Sequence, residues 1–193
     1  RNYALDLLAP QKYPKEGTQQ TYDDVSWALP VHYGLEAKRV DDAKVTEANL
    51  EPLAPGFAVA GRVNGAGPVY LLRDSGQEGL MALRARLGAF RVEIAEKAFK
   101  SGDKDYPPGS WVVADQKGLA DALKKAAAEL ALEFDSAEAV PDVARHESRL
   151  PRLAVWHTWA DTEAVGWIRL VLDREKVPYA YIRDEDVRAG RLR

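Results

Sequence analysis

The densest group of chemically capable side chains in this sequence is His157-Thr158-Trp159, flanked by Trp156 and followed by Trp167. An imidazole, a hydroxyl and three indoles can hold a small ligand, glycan or peptide by stacking and hydrogen bonding. The spacing predicts that the group follows a parallel strand, and open α/β sheets bind ligands beyond the carboxyl ends of their strands. The same large aromatics also suit a domain or subdomain interface, so both uses stay open at this point.

Other chemistries find less material. A helical or turn-based metal pair needs His-x-x-Glu or His-x-x-x-His, so that two ligands share a face. Three residues beyond His32, His146 and His157 stand Leu35, Arg149 and Ala160, none of them a ligand. His32 with Glu36 and His157 with Asp161 come nearest, and each lacks a third partner. No metal site is assigned, and the histidines read as surface or structural. The chain has no cysteine, which removes disulfides, thiolate nucleophiles and sulfur-ligated zinc. Ser75 follows one predicted strand and opens a helix, as a nucleophile does at an elbow. The Ser75-Gly76-Gln77-Glu78 order matches a helix capping box, which explains the serine better. Gly65-Ala66-Gly67 precedes a strand, whereas a phosphate cradle needs its glycines after one and before a helix. The acidic groups Asp23-Asp24, Asp103/Asp105 and Asp184-Glu185-Asp186 fall where helix caps or turns are expected and lack calcium-loop spacing. No catalytic residue is assigned.

Composition narrows the classes further. The 193 residues carry 27 basic and 30 acidic side chains, a net charge of −3, which argues against nucleic acid or an anionic membrane as partner. No run of ~18 apolar residues exists to span a bilayer. The sequence starts at Arg1 without an initiator Met or signal peptide, which gives the expectation of a processed product or a piece of something longer.

The elements that would position these residues follow an α/β pattern. A short helical stretch over Ala4–Leu8 leads into a loop. Asp23 and Asp24 offer caps for a helix carrying Val25, Trp27, Ala28 and Val31, which Pro30 should kink or end before Gly34. Leu35–Val40 reads as a strand. Val69–Arg73, a helix on Leu80, Leu83 and Leu87, and the alternating Phe90, Val92 and Ile94 make a βαβ pattern, which implies parallel strands. Tyr106-Pro107-Pro108-Gly109 is a turn ahead of a buried strand over Ser110–Ala114. Gly118–Leu132 is an amphipathic helix with Leu119, Leu123, Ala126, Ala127 and Leu130 on one stripe. The polar stretch Ser136–Arg149, with Pro141, reads as a linker. A second βαβ unit runs from strand Leu153–Trp156 through a helix capped by Asp161 or Thr162 to strand Tyr179–Arg183. Val165, Ile168, Val171 and Leu172 form the expected buried face of its helix.

Three segments, in order, resemble one family. Tyr22-Asp23-Asp24-Val25-Ser26-Trp27-Ala28-Leu29-Pro30, Tyr106-Pro107-Pro108-Gly109-Ser110-Trp111-Val112-Val113 and Arg152–Asp186 are similar to large secreted bacterial proteins of the zinc carboxypeptidase, carboxypeptidase A-like class. The third segment includes His157-Thr158-Trp159, Gly166-Trp167 and Val177-Pro178-Tyr179, and continues into Val187-Arg188-Ala189-Gly190. In that family a His-x-x-Glu pair and a later His hold zinc in an N-terminal catalytic domain, and those motifs are absent here. The matching part lies downstream and looks like a class I glutamine amidotransferase-like, flavodoxin-type module. Active members of that superfamily use a cysteine, so no catalytic residue carries over.

The resemblance therefore implies two flavodoxin-like βαβ subdomains with mainly parallel sheets, residues 1–148 and a truncated 149–193. It implies an accessory role without catalysis or cofactor in this segment, zinc belonging to the upstream domain. The implied partners are that peptidase domain and a peptide substrate, in an extracellular or periplasmic setting.

Overall fold

In the computed structural model, the described residues are 5, 7–10, 28–33, 35–46, 51–54, 56–160 and 162–192. The cap residues Asp23, Asp24 and Asp161, with Val25, Trp27 and Gly34, lie outside them. Contacts divide the chain into two units, residues 1–58 with 75–77, and residues 59–74 with 78–193.

Among its described residues the first unit contains the single-turn helices α1 (Leu29–His32) and α2 (Ala43–Thr46), and Leu5, Leu7 and Leu8, within the expected helix over Ala4–Leu8, are helical as well. Pro30 neither kinks nor ends a helix: it sits in the first turn of α1, where its missing N–H would have had no helical partner. Leu35–Val40 is not a strand. Its backbone has no ladder partner among the described residues, and both Leu35 and Val40 are exposed. Nor does the Ser75 capping box form. Gln77 accepts from Ser75 N at 2.7 Å and from Ser75 Oγ at 3.1 Å, so the side chain of Gln77, not Glu78, answers the serine.

The second unit holds the sheets. Strands β1 (Arg62–Asn64), β2 (Val69–Leu72), β3 (Glu93–Ala95), β6 (Trp111–Ala114), β7 (Glu133–Ala137) and β8 (Arg145–Glu147) form one six-stranded sheet in the order β1-β7-β2-β6-β3-β8. Helix α3 (Leu80–Arg86) connects β2 to β3, and helix α4 (Leu119–Leu130) connects β6 to β7. The expectation of a mainly parallel sheet is overturned here. Only β1 with β7 is a parallel pair; β7–β2, β2–β6, β6–β3 and β3–β8 are antiparallel.

The crossovers themselves are as the spacing predicts. Both β2 and β3 run antiparallel to β6, one on each side of it, so they are parallel to each other. By the same logic β6 and β7 are parallel with β2 between them. Two βαβ units thus interleave, the split arrangement of ferredoxin-like folds. A βαβ pattern fixes the direction of its two strands; it does not say whether a third strand enters between them. The expected linker Ser136–Arg149 also does more than connect, since it completes β7 and supplies the edge strand β8.

Alternation along the central strands sorts side chains to two faces. Tyr70, Leu72, Trp111, Val113 and Phe134 meet Leu83 and Leu87 of α3 and Leu119, Leu123, Ala126 and Ala127 of α4. Val69, Leu71 and Val112 point the other way and are covered by Tyr106, with Phe99 packed alongside. Tyr106 and Phe99 come from a hairpin, β4 (Phe99–Ser101) and β5 (Lys104–Tyr106), whose rings stack at 4.9 Å. Both faces of this sheet are therefore closed. Gly61 makes the entry of β1 possible, because a Cβ there would overlap the Ala127 carbonyl of α4.

Strand β9 (Leu153–His157), helix α5 (Thr162–Arg174) and strand β10 (Tyr179–Arg183) form the predicted second βαβ unit, with β9 and β10 paired in parallel. Helix α6 (Asp184–Arg188) follows at once, and Asp186 Oδ2 accepts from Arg183 N at 3.0 Å as its cap. The small core joins Val155, Leu172 and Val177, with Leu153, Val165, Tyr179 and Ala85 of α3 against it. The expected buried face of α5 is only partly realised. Leu172 is buried, whereas Ile168 and Val171 are exposed, because a two-stranded sheet is too narrow to cover more of the helix.

Candidate functional site

The carboxyl end of the β9–β10 sheet brings together part of the predicted group. His157 closes β9, and its ring contacts Trp159 edge-on at 5.3 Å and Tyr181 of β10 at 5.6 Å. Tyr181 lies opposite Val155 in the parallel register, so it shares the α5 side of the sheet with His157. The guanidinium of Arg169, on α5, sits 4.6 Å above the Tyr181 ring. Arg169 also donates to the Tyr179 hydroxyl at 3.2 Å, which in turn donates to Asp173 Oδ1 at 3.0 Å. The Tyr179 bond, with its electrostatic support, holds Arg169 even more firmly protonated than usual. A row Arg169–Tyr181–His157–Trp159 results, ending in an indole that is 90% exposed. Thr158 lies between His157 and Trp159, half-buried.

The other two tryptophans do not join this row. Trp156 alternates to the opposite face of β9, where its Nε1 donates to Asp184 Oδ1 at 3.0 Å. Trp167 stands on α5, 62% exposed, and makes no ring contact among the described residues. With Ile168 and Val171 it forms an exposed apolar stripe at helical spacing. Tyr181 and Arg169 were not singled out from the sequence. The signal was available in the period-two pattern of Tyr179–Arg183, once β10 is registered against β9.

The face of β9–β10 turned away from α5 borders an open-sided cavity of about 790 Å³. Its walls include Pro151, Ala154, Ala180, Ile182 and Leu192, with Arg152 and Arg191 among them. His157 and Trp159 do not line it.

A polar cluster lies under the β4–β5 hairpin. Asp135 of β7 accepts from Lys104 Nζ at 2.6 Å and from the Tyr106 hydroxyl at 2.8 Å. It also accepts from Asn64 Nδ2 at 2.9 Å. Asn64 is shared with Glu133 Oε1, which Arg62 also reaches at 3.0 Å. Partial burial opposes ionisation of Asp135, but the bonds from Lys104, Asn64 and Tyr106 outweigh it and hold the carboxyl below its ordinary range. Burial, reinforced by the bond to Asp135, pushes the Tyr106 phenol well above its ordinary value. The bond to Asp135 likewise raises Lys104. Every member is partnered, so the cluster clamps the hairpin over the sheet.

Among the described residues no three His, Cys, Asp or Glu side chains gather in a way that could hold a metal ion. No described helix is long and apolar enough to cross a membrane. Comparison with protein-family models, with curated proteins and with solved structures finds no match for the chain.

Proposed function

We propose that this chain is a non-catalytic accessory module of a secreted zinc-carboxypeptidase-like protein, extracellular or periplasmic. Its role is to pack against the peptidase domain upstream or to position peptide substrate for it. The carrying observation is the stripe Trp167, Ile168 and Val171, three large apolar side chains exposed together on one helix. Apolar surface of this kind marks interaction sites, because leaving it in water forfeits burial energy. The ordered resemblance of residues 22–30, 106–113 and 152–190 supplies the identity of the partner. In this reading β9–α5–β10 opens a glutamine amidotransferase-like, flavodoxin-type unit. Peptidase activity and bound zinc measured on the purified 193-residue chain test it. Neither is expected, and robust hydrolysis with stoichiometric zinc overturns the accessory role.

A second reading, a small-ligand, glycan or peptide-binding module, is favoured by the row from Arg169 to Trp159. Its outer indole face is open, and stacking donors and acceptors stand beside it. Thermal shifts with cell-wall peptides, abolished in Trp159→Ala, support that reading; no shift with any such peptide removes it.

A further inference from the structure

We propose that the cavity on the outer face of β9–β10 is a binding site for a small apolar group that ends in a carboxylate. Three observations carry this. First, the cavity of about 790 Å³ has the size of known small-molecule sites, roughly 300–1,000 Å³. Second, its wall is apolar where the sheet contributes: Ala154 and Ala180 are directly paired across β9 and β10, and their short side chains leave the hollow between Pro151, Ile182 and Leu192. Third, its charge has one sign. Arg152 and Arg191 line it and no acidic residue does.

The two guanidiniums are not equivalent. Arg191 is held by Asp186 Oδ1 at 2.8 Å, which fixes its place and offsets its charge. Arg152 has no hydrogen-bond or ion-pair partner among the described residues, and its planar fork is the geometry that takes a carboxylate bidentately. An apolar hollow with one uncommitted guanidinium selects a ligand with an apolar body and an anionic end. A neutral apolar molecule would leave Arg152 unanswered, and a polyanion would find no second free cation in the wall.

The site uses neither the aromatic row nor the α5 stripe, so it stands or falls apart from the accessory role. Two sources share the required chemistry, a free medium-chain carboxylate and the C-terminus of an apolar peptide. Octanoate and N-acetyl-Ala-Leu-Leu with a free terminus are titrated into the full chain, with octanamide and the C-terminally amidated peptide as controls. Methyl NMR shifts of Ala154, Ala180, Ile182 and Leu192 locate the binding. At least one carboxylate should move these methyls, and its amide should bind about tenfold more weakly, equivalent to about 1.4 kcal/mol. Arg152→Gln should lose the same factor, and because Arg152 is exposed the variant should keep its fold, checked by circular dichroism. Ala180→Leu should block the hollow while leaving Arg152 in place. Response to octanoate alone identifies a free acid, and response to the peptide alone identifies a chain terminus. No methyl response to either, or equal affinity for acid and amide, overturns the proposal.

Discussion

Strands β2, β6 and β7 and strands β9 and β10 are comparably rich in apolar residues, yet the two sheets end in opposite conditions. In the six-stranded sheet every central strand has neighbours on both sides, helices α3 and α4 close one face, and the β4–β5 hairpin closes the other. Val69–Leu72 is buried at all four positions as a result. In the two-stranded sheet α5 closes one face, while on the other Pro151, Arg191 and Leu192 wall an open hollow without filling it, so Ala154 and Ala180 remain exposed. The difference lies in layer completion, not in the residues. A parallel pair is ordinarily covered on both faces, and the small unit has one face and an apolar helix stripe still to satisfy.

Substitutions can sharpen or break that contrast. Phe134→Ala removes a fully buried ring at the junction of β7 with both helices, and should cost about 3–5 kcal/mol, read as a lowered denaturant midpoint. Leu172→Ala empties the small core, where three buried residues meet, and should cost less, about 2–3 kcal/mol. Hydrogen exchange should place that loss in β9 and β10 while β2, β6 and β7 stay protected. Equal loss of protection in both sheets would mean that they unfold as one body and would end the contrast.

The hairpin clamp is expected to matter less and to depend on pH. Tyr106→Phe deletes the bond to Asp135, at a cost of about 1–2 kcal/mol. Asp135 titrates lower in the folded chain than its ordinary 3.8, so its contribution is complete above that value. It is lost as pH falls through the lower folded value. Tyr106 and Lys104 are raised from 10.0 and 10.5, so their contributions are complete below those values and are lost as pH rises past them. Stability measured across pH should therefore decline at both ends, and Tyr106→Phe should lessen the alkaline decline. A wild-type profile flat above pH 10 would dismiss the clamp. The smallest effect belongs to Trp167→Ser, on the open stripe, which should stay within about 0.5 kcal/mol of the parent chain while reducing self-association or dye binding. A large destabilisation there would show that the stripe is already covered.

Periodicity by itself determined a good deal of this molecule. The stripe Leu119, Leu123, Ala126 and Ala127 makes α4 the helix it is, since a 3.6-residue repeat of apolar side chains can be buried along one line. The β9–α5–β10 unit follows from the same local logic, and so does the direction of β2 relative to β3. The grouping of His157 with Trp159 was legible because both sit where a strand ends.

What only the tertiary structure decided is adjacency. β6 enters between β2 and β3, β2 enters between β6 and β7, and β8 pairs with β3 although Ala95 and Arg145 stand 50 positions apart. No local pattern encodes that choice, which depends on which apolar faces must be closed together. Adjacency also brought Tyr181 and Arg169 to the aromatic row and set Asp135 beneath Tyr106. Neighbouring residues of a strand face opposite ways, so the company each one keeps is set by the strands and helices packed against it.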